Sequence, residues 1–177
     1  MKRFFAVLLC ILTVFAHSAL AESTGAVTPY VICASLKEAA GVAGFEINAP
    51  EKADGCTVTI LAWKNELIEV SYNNGWNTLT VRKGKGESDV SGDYNVYDRI
   101  VTHKIGNVNI TLKGNGDALR LITWSYGGYS YSIAGTTGIN MRNAAAAVKQ
   151  LSGIKKAASS KKGLLVGGDP RTWGPAQ

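Results

Sequence analysis

The feature that most constrains this chain is a change of hydrophobic period at Cys56. From there to Gly135, apolar and polar residues alternate with a period of two, which is typical of strands with one buried face. The segment Leu67–Tyr72 alternates without interruption, with Ile68 and Val70 on one face. The pattern predicts a β-sheet with one face turned towards a core.

Short turn signals separate the strands. Asn73-Asn74-Gly75, Gly106-Asn107 and Gly127-Gly128 supply residues that tolerate the positive φ of tight hairpins. Links this short force neighbouring strands to be antiparallel, because a parallel crossover needs a dozen or more residues. We predict about seven strands in meander order: Thr57–Trp63, Leu67–Tyr72, Asn77–Lys83, Arg99–Ile105, Val108–Lys113, Leu119–Tyr126 and Tyr129–Ala134.

Two helices are predicted on either side of this region. Ser35-Leu36-Lys37-Glu38 fits a capping box and begins a helix from Leu36 to about Ala43, which Gly44 ends. Asn140 is suited to cap a second helix, Met141–Leu151. An antiparallel sheet needs a cover on one face, so we predict an α+β fold with both short helices on the same face.

The N-terminus resembles a secretory signal. Lys2 and Arg3 precede an apolar stretch, and Ala19-Leu20-Ala21 has the small residues that signal peptidase recognises. The alternative is an uncleaved N-terminal anchor. We expect a signal peptide over 1–21, a leader over 22–29, an α+β domain over 30–151 and a flexible tail over 152–177. The mature protein is then exported, either secreted or periplasmic.

The charge is uneven along the chain. The net charge is +6, and cleavage after Ala21 lowers it to +4 by removing Lys2 and Arg3. The excess lies in the tail, whose lysines suit weak contact with an anionic surface, at most a peripheral membrane contact. A solvated chain end is the alternative, and no nucleic acid is expected because the tail lacks interleaved aromatic residues. The four lysines are Lys155, Lys156, Lys161 and Lys162.

Two cysteines stay in the mature chain, Cys33 and Cys56. An even count in an oxidising compartment predicts a disulfide between them, and two unpaired thiols are the alternative. We expect no metal site and no cofactor. Two cysteines without a nearby histidine cannot complete a tetrahedral zinc site, and His103 is the single histidine after the signal peptide.

Several short motifs occur in a fixed order along the chain: Ser35–Ala39, Ala43–Phe45, Glu69-Val70, Tyr72, Thr80–Lys83, Asp89–Asn95, Val108–Gly114, Thr123-Trp124 and Gly128–Ile133. Together they resemble a domain of unknown function found in bacterial exported proteins and lipoproteins. That domain is related to extracytoplasmic domains of anti-sigma-factor-like membrane proteins. The resemblance covers about residues 30–151 and implies a compact α+β fold without catalytic residues; the two cysteines and the basic tail depart from it.

Two features are candidate sites. The loop 87–98 concentrates oxygen donors that suit either Ca²⁺ or a turn held by Asp and Asn side chains. The aromatic residues Trp124, Tyr126, Tyr129 and Tyr131 alternate on two adjacent strands. They suit either packing in the core or a groove for peptide, glycan or lipid.

No reactive constellation is evident in the sequence. We therefore predict an exported, non-enzymatic binding or sensing module of the bacterial cell envelope. Its partner would be a protein, a peptide or an envelope component. Two alternatives stay open: a hydrolase of envelope polymer that uses Asp or Glu residues, and a surface-adhesion protein that acts through its basic tail.

Overall fold

The computed structural model describes residues 29–154, which form an eight-stranded antiparallel sheet and two helices. The predicted signal peptide and the four tail lysines lie outside these residues. The strands are β1 Tyr30–Cys33, β2 Thr57–Trp63, β3 Leu67–Asn73, β4 Thr78–Lys85, β5 Arg99–Ile105, β6 Val108–Asn115, β7 Ala118–Tyr126 and β8 Tyr129–Gly135; the helices are α1 Leu36–Ala43 and α2 Met141–Leu151. The α+β class is confirmed, with β1 as an eighth strand.

The sheet is built from two runs of four strands. In the first run, α1 connects β1 to β2, and hairpins connect β2 to β3 and β3 to β4. In the second run, hairpins connect β5, β6, β7 and β8 in chain order. The last strands of the two runs, β4 and β8, pair antiparallel at the centre, which gives the order β1-β2-β3-β4-β8-β7-β6-β5. The segment from β4 to β5 must therefore cross three strands to reach the far edge.

The strand register aligns apolar residues on one side, here called the inner face. One row crosses all eight strands on this face: Cys33, Ile60, Val70, Val81, Ile133, Ile122, Leu112 and Val101. All but Val101 are buried. Each such aliphatic side chain contributes roughly 1.5–3 kcal/mol to folding when fully buried. The alternation in the sequence thus places the core on one side of the sheet, as predicted.

Both helices cover the inner face, and both caps form at the predicted residues. Ser35 Oγ accepts a hydrogen bond from Glu38 N at 3.1 Å, and Glu38 reaches back to Ala34 N at 2.7 Å. α1 ends at Gly44, whose φ of 77° is costly for other residues. Asn140 caps α2 by accepting from Arg142 N at 2.9 Å. None of the helices in residues 29–154 combines the length and apolar character needed to span a bilayer.

The structure does not support the predicted Cys33–Cys56 disulfide, because both thiols are free. Cys33 lies opposite Ile60 in the sheet, whereas Cys56 precedes Ile60 by four residues. Four residues of extended chain span about 13 Å. A disulfide requires Cα atoms less than about 7 Å apart. The strand register therefore separates the two thiols.

Candidate functional site

The opposite side of the sheet, the outer face, is polar. The register aligns one row of side chains across six strands of this face: Glu69, Arg82, Ser132, Thr123, Thr111 and Thr102. Hydroxyl groups recur because positions that alternate with core residues face away from it. No described helix covers this face, and the segment between β4 and β5 crosses it instead.

That segment, residues 86–98, is here called the diagonal loop. It begins beside the β7–β8 hairpin, where Gly86 N donates to Gly128 O at 3.0 Å. It ends at the other end of the sheet, where Asp98 N donates to Asn115 Oδ1 at 2.9 Å. The loop therefore runs obliquely over β8, β7 and β6 and leaves an open depression on each side.

Arg82 holds the middle of the diagonal loop to the sheet. Its Nη1 donates to the carbonyl oxygens of Val90, at 3.3 Å, and Ser91. Its Nε forms an ion pair with Glu69 at 2.7 Å, and only 23% and 12% of the two side chains are exposed. The carboxylate fixes the guanidinium, which in turn fixes the loop backbone. Gly84 lets Val90 approach the strand, since a Cβ there would lie 2.7 Å from Val90 Cγ1.

The larger depression is a groove of about 400 Å³ at the end of the sheet where the diagonal loop meets β5. This volume lies within the range of small-molecule sites. Hydroxyl, amide, carboxylate and guanidinium groups converge on it. The groove is lined by Thr78, Thr80, Asp93, Asn95, Val96, Tyr97, Asn115, Arg120, Ala134, Gly135 and Thr136.

Asp93 organises the loop wall of the groove. Its carboxylate accepts hydrogen bonds from Asn95 N and Asn95 Nδ2, both at 2.8 Å, and from Tyr97 Oη at 2.5 Å. Partial burial raises the pKa of Asp93, but the hydrogen bonds from Tyr97 and Asn95 outweigh burial, so its pKa lies below the ordinary value. Burial and the charge of Asp93 raise the pKa of Tyr97 to about 12. The carboxylate is ionised and the phenol is neutral at physiological pH.

Arg120 supplies the positive charge of the groove from β7. Its Nη1 donates to Thr136 O, and its charge is close enough to Tyr97 to act on the pKa of that phenol. Within residues 29–154, no carboxylate forms an ion pair with Arg120. Arg120 is half-buried, lines the groove and has guanidinium N–H groups that make no hydrogen bond to the described residues.

Three large hydrophobic side chains are more exposed than any other in the described chain. Tyr94 is 96% exposed and lies between the groove-lining residues Asp93 and Asn95, and Val96, which lines the groove, is 91% exposed. Trp76 is 89% exposed in the β3–β4 hairpin, two residues before Thr78. Exposed aromatic rings of this kind provide apolar contact area beside polar groups.

The smaller depression, about 240 Å³, lies on the other side of the diagonal loop beside Glu87 and Asp89. Asp89 accepts from Ser91 N at 2.8 Å and lies 3.8 Å from Lys113 Nζ. Across residues 29–154, no group of three or more His, Cys, Asp and Glu side chains is arranged for a metal ion. Asp89, Asp93 and Asp98 accept hydrogen bonds from backbone amides, an arrangement that fits the turn, one of the two alternatives for this loop.

The four predicted groove aromatics lie on the inner face. Trp124 and Tyr131 are buried and stack with ring centroids 5.1 Å apart, and Trp124 Nε1 donates to Ser152 Oγ at 2.9 Å. Tyr126 and Tyr129 are half-buried. Lys83 Nζ lies 4.1 Å from the Tyr129 ring centroid and donates to a backbone carbonyl, that of Glu46, at 2.6 Å. Packing in the core, one of the two roles considered for these residues, accounts for this arrangement.

An apolar groove of about 650 Å³ lies beside α1, between Leu36, Ala40 and Phe45. It offers apolar contact without a convergent set of polar side chains. His103 is half-buried on the edge strand β5, beside neither groove. The outer-face groove is therefore the better candidate site.

The sequence singled out the loop 87–98, which forms most of the diagonal loop, but it did not indicate Arg120 as a site residue. The signal that could have found it is an arginine among outward-facing positions of a strand. Only the pairing of β4 with β8 brings Arg120 and Thr80 to one groove.

Comparison of the chain with family models, with curated proteins and with solved structures gives no match. The resemblance drawn from its motifs stays a prediction.

Proposed function

We propose that this protein is an exported, non-enzymatic binding module of the bacterial cell envelope, and that its outer-face groove binds a saccharide segment of an envelope polymer. The observation that carries the proposal is the convergence of hydroxyl, amide and guanidinium groups in an open groove of about 400 Å³. Export rests on the signal sequence, and the envelope as the site of action rests on the motif resemblance.

The chemistry of the groove favours a saccharide. Sugars present many hydroxyl groups that both donate and accept hydrogen bonds, and the side chains of Thr78, Thr80, Asn95 and Asn115 can do the same. Tyr94 adds an exposed ring against which the C–H face of a sugar can pack. An apolar lipid tail would leave these polar groups without partners, at a cost in binding free energy.

The state of Asp93 supports binding rather than hydrolysis. A general acid needs a raised pKa, whereas the pKa of Asp93 is lowered. Both of its oxygens accept hydrogen bonds from the loop. Glu69, the other outer-face carboxylate near the loop, is paired with Arg82. These groups are engaged in holding the wall of the groove.

A groove-filling substitution tests the proposal. Ala134 is a half-buried groove residue on β8, and Ala134→Trp would occupy the space with an indole. Thr111→Trp is the matched control, because Thr111 is equally half-buried on the outer face but lines the smaller depression. Binding of the full chain is measured by sedimentation with purified peptidoglycan and by calorimetry with neutral, amino and acidic trisaccharides.

We expect the unmodified protein and Thr111→Trp to bind at least one of these probes with similar affinity. Ala134→Trp should bind it at least tenfold more weakly while its circular dichroism spectrum is unchanged. Ala134→Leu, which fills less of the groove, provides a second variant if the indole disturbs folding. Equal binding by all variants, or binding to none of the probes, would contradict the proposal.

A further inference from the structure

We infer that the ligand of the outer-face groove carries one carboxylate group, and that Arg120 binds it. The ligand is then an acidic saccharide, with a sugar acid at the Arg120 end of the groove and uncharged hydroxyl groups along the rest. This inference rests on the proposed function and narrows it to one class of saccharide.

Most hydrogen-bond donors of the Arg120 guanidinium are left unused by the fold. A guanidinium has five N–H donors in a planar fork that matches the two oxygens of a carboxylate. The Arg120 Nη1 donates to Thr136 O, which orients the side chain along the groove wall. No other hydrogen bond and no ion pair involves its guanidinium within residues 29–154. Its remaining donors are available to a ligand.

Arg82 shows what an arginine with a structural role looks like on the same face. Its Nε is paired with Glu69 at 2.7 Å, and its Nη1 binds the diagonal loop. Its charge is therefore neutralised by the fold. Arg120 has no such carboxylate in the described chain, although it lies in a groove that reduces its contact with solvent. A carboxylate from a ligand would supply the missing counter-charge.

The position of Asp93 limits the ligand to one acidic group. Asp93 is ionised on the opposite wall, and its oxygens already accept from Asn95 and Tyr97. A second anionic group beside Asp93 would be repelled. The uncharged groups of Thr80 and Asn115 suit hydroxyl groups instead. The groove thus offers one place for negative charge.

The test compares two probes of equal length on the full chain by calorimetry: a neutral trisaccharide of glucose, and the same trisaccharide with one terminal sugar oxidised to a hexuronic acid. Arg120→Gln removes the positive charge, and Arg120→Lys keeps the charge but lacks the planar set of N–H donors that a guanidinium presents to a carboxylate. Lys104→Gln is the control, because Lys104 is an exposed outer-face cation on β5 that lines neither depression. Vesicles that contain anionic lipid form a third arm.

We expect the unmodified protein and Lys104→Gln to bind the acidic trisaccharide at least tenfold more tightly than the neutral one. Arg120→Gln should abolish this preference, and Arg120→Lys should retain part of it, with melting temperatures recorded for each variant. If Arg120→Gln does not fold, the lysine variant still tests the loss of the fork. The affinity of the acidic probe should also fall with added salt.

Other outcomes would overturn the inference in distinguishable ways. Equal affinity for both trisaccharides, unchanged in Arg120→Gln, would refute the acidic ligand and leave the proposed saccharide function standing. Binding of neither trisaccharide would refute the acidic ligand, and the proposed saccharide function would then be decided by the peptidoglycan and amino-trisaccharide measurements described above. Arg120-dependent binding to anionic vesicles alone would assign this arginine to a lipid headgroup and refute the saccharide.

Discussion

Asn77 is buried just before β4, where its amide joins two distant parts of the chain. Its Oδ1 accepts from Thr136 Oγ1 and from Thr137 N, both at 3.0 Å, and its Nδ2 donates to Gly138 O at 3.3 Å. These groups form the turn between β8 and α2. A single side chain therefore positions the end of the central strand pair and Thr136 in the groove.

Asn77→Ala should lower the free energy of unfolding by about 2–3 kcal/mol, because it leaves buried polar groups without partners. Urea denaturation of the full chain measures this change. Asn109→Ala is the control, since Asn109 is exposed on the outer face, and it should change stability by less than about 0.5 kcal/mol. A loss for Asn77→Ala no larger than that of the control would contradict this role.

At the residue scale, the sequence predicts the structural roles that are decided by residues close together in the chain. Ser35, Gly44 and Asn140 cap the helices as predicted, because a cap is decided within three or four residues. Asn77 has partners 59 to 61 residues away, so its role cannot be deduced from its surroundings in the chain. The prediction of a disulfide was wrong for the same reason, because the even count of cysteines carries no information about the register of β1 on β2.

At the scale of elements, the contact between Gly84 in β4 and Val90 in the diagonal loop decides how closely the loop lies on the sheet. A Cβ at Gly84 would come within 2.7 Å of Val90 Cγ1 and 3.3 Å of Glu66 O. Gly84→Ala must therefore move Val90 or the strand. The loop wall of the groove depends on this close approach, because Asp93 and Tyr97 follow in the same segment.

Gly84→Ala should destabilise the protein by about 1–3 kcal/mol, as over-packing at a tight contact does. Removing the clashing methyl groups in Gly84→Ala/Val90→Ala should recover part of that loss, so the two changes will not be additive. Val90→Ala alone is the control for lost packing. Denaturation midpoints and the rate of proteolysis within residues 86–98 measure both effects. Strict additivity would show that the two side chains do not interact.

The seven predicted strands are confirmed as β2 to β8, because hydrophobic period and turn residues are local signals. β1 was missed, since its four residues are mostly exposed and do not alternate. The alternation of each strand reveals its two faces but not its neighbours. The pairing of β4 with β8 and the course of the diagonal loop depend on contacts between distant segments, so the groove could not be assembled from the sequence.

At the scale of the whole molecule, the described sheet begins at Tyr30, shortly after the predicted cleavage site. We expect the exported protein to begin at Glu22 after cleavage behind Ala21. Mass spectrometry of protein recovered from outside the cytoplasm measures this end directly. Ala19→Lys and Ala21→Lys together should block cleavage, whereas Ser23→Lys, beyond the site, should not. An intact Lys2-Arg3 segment on the exported protein would refute the assignment.

The alternation of side chains across the sheet separates two tasks that many proteins combine. In a strand such as β8, every second residue packs in the core, and the residues between them lie on the outer face, where Ser130 and Ser132 are buried and Ala134 is half-buried. A substitution at Ala134 or Thr80 can therefore alter what the surface recognises while Ile133 and Val81 continue to pack unchanged. Homologous chains can therefore acquire different binding specificities through substitutions at the outward-facing positions of these strands, while the core positions stay the same.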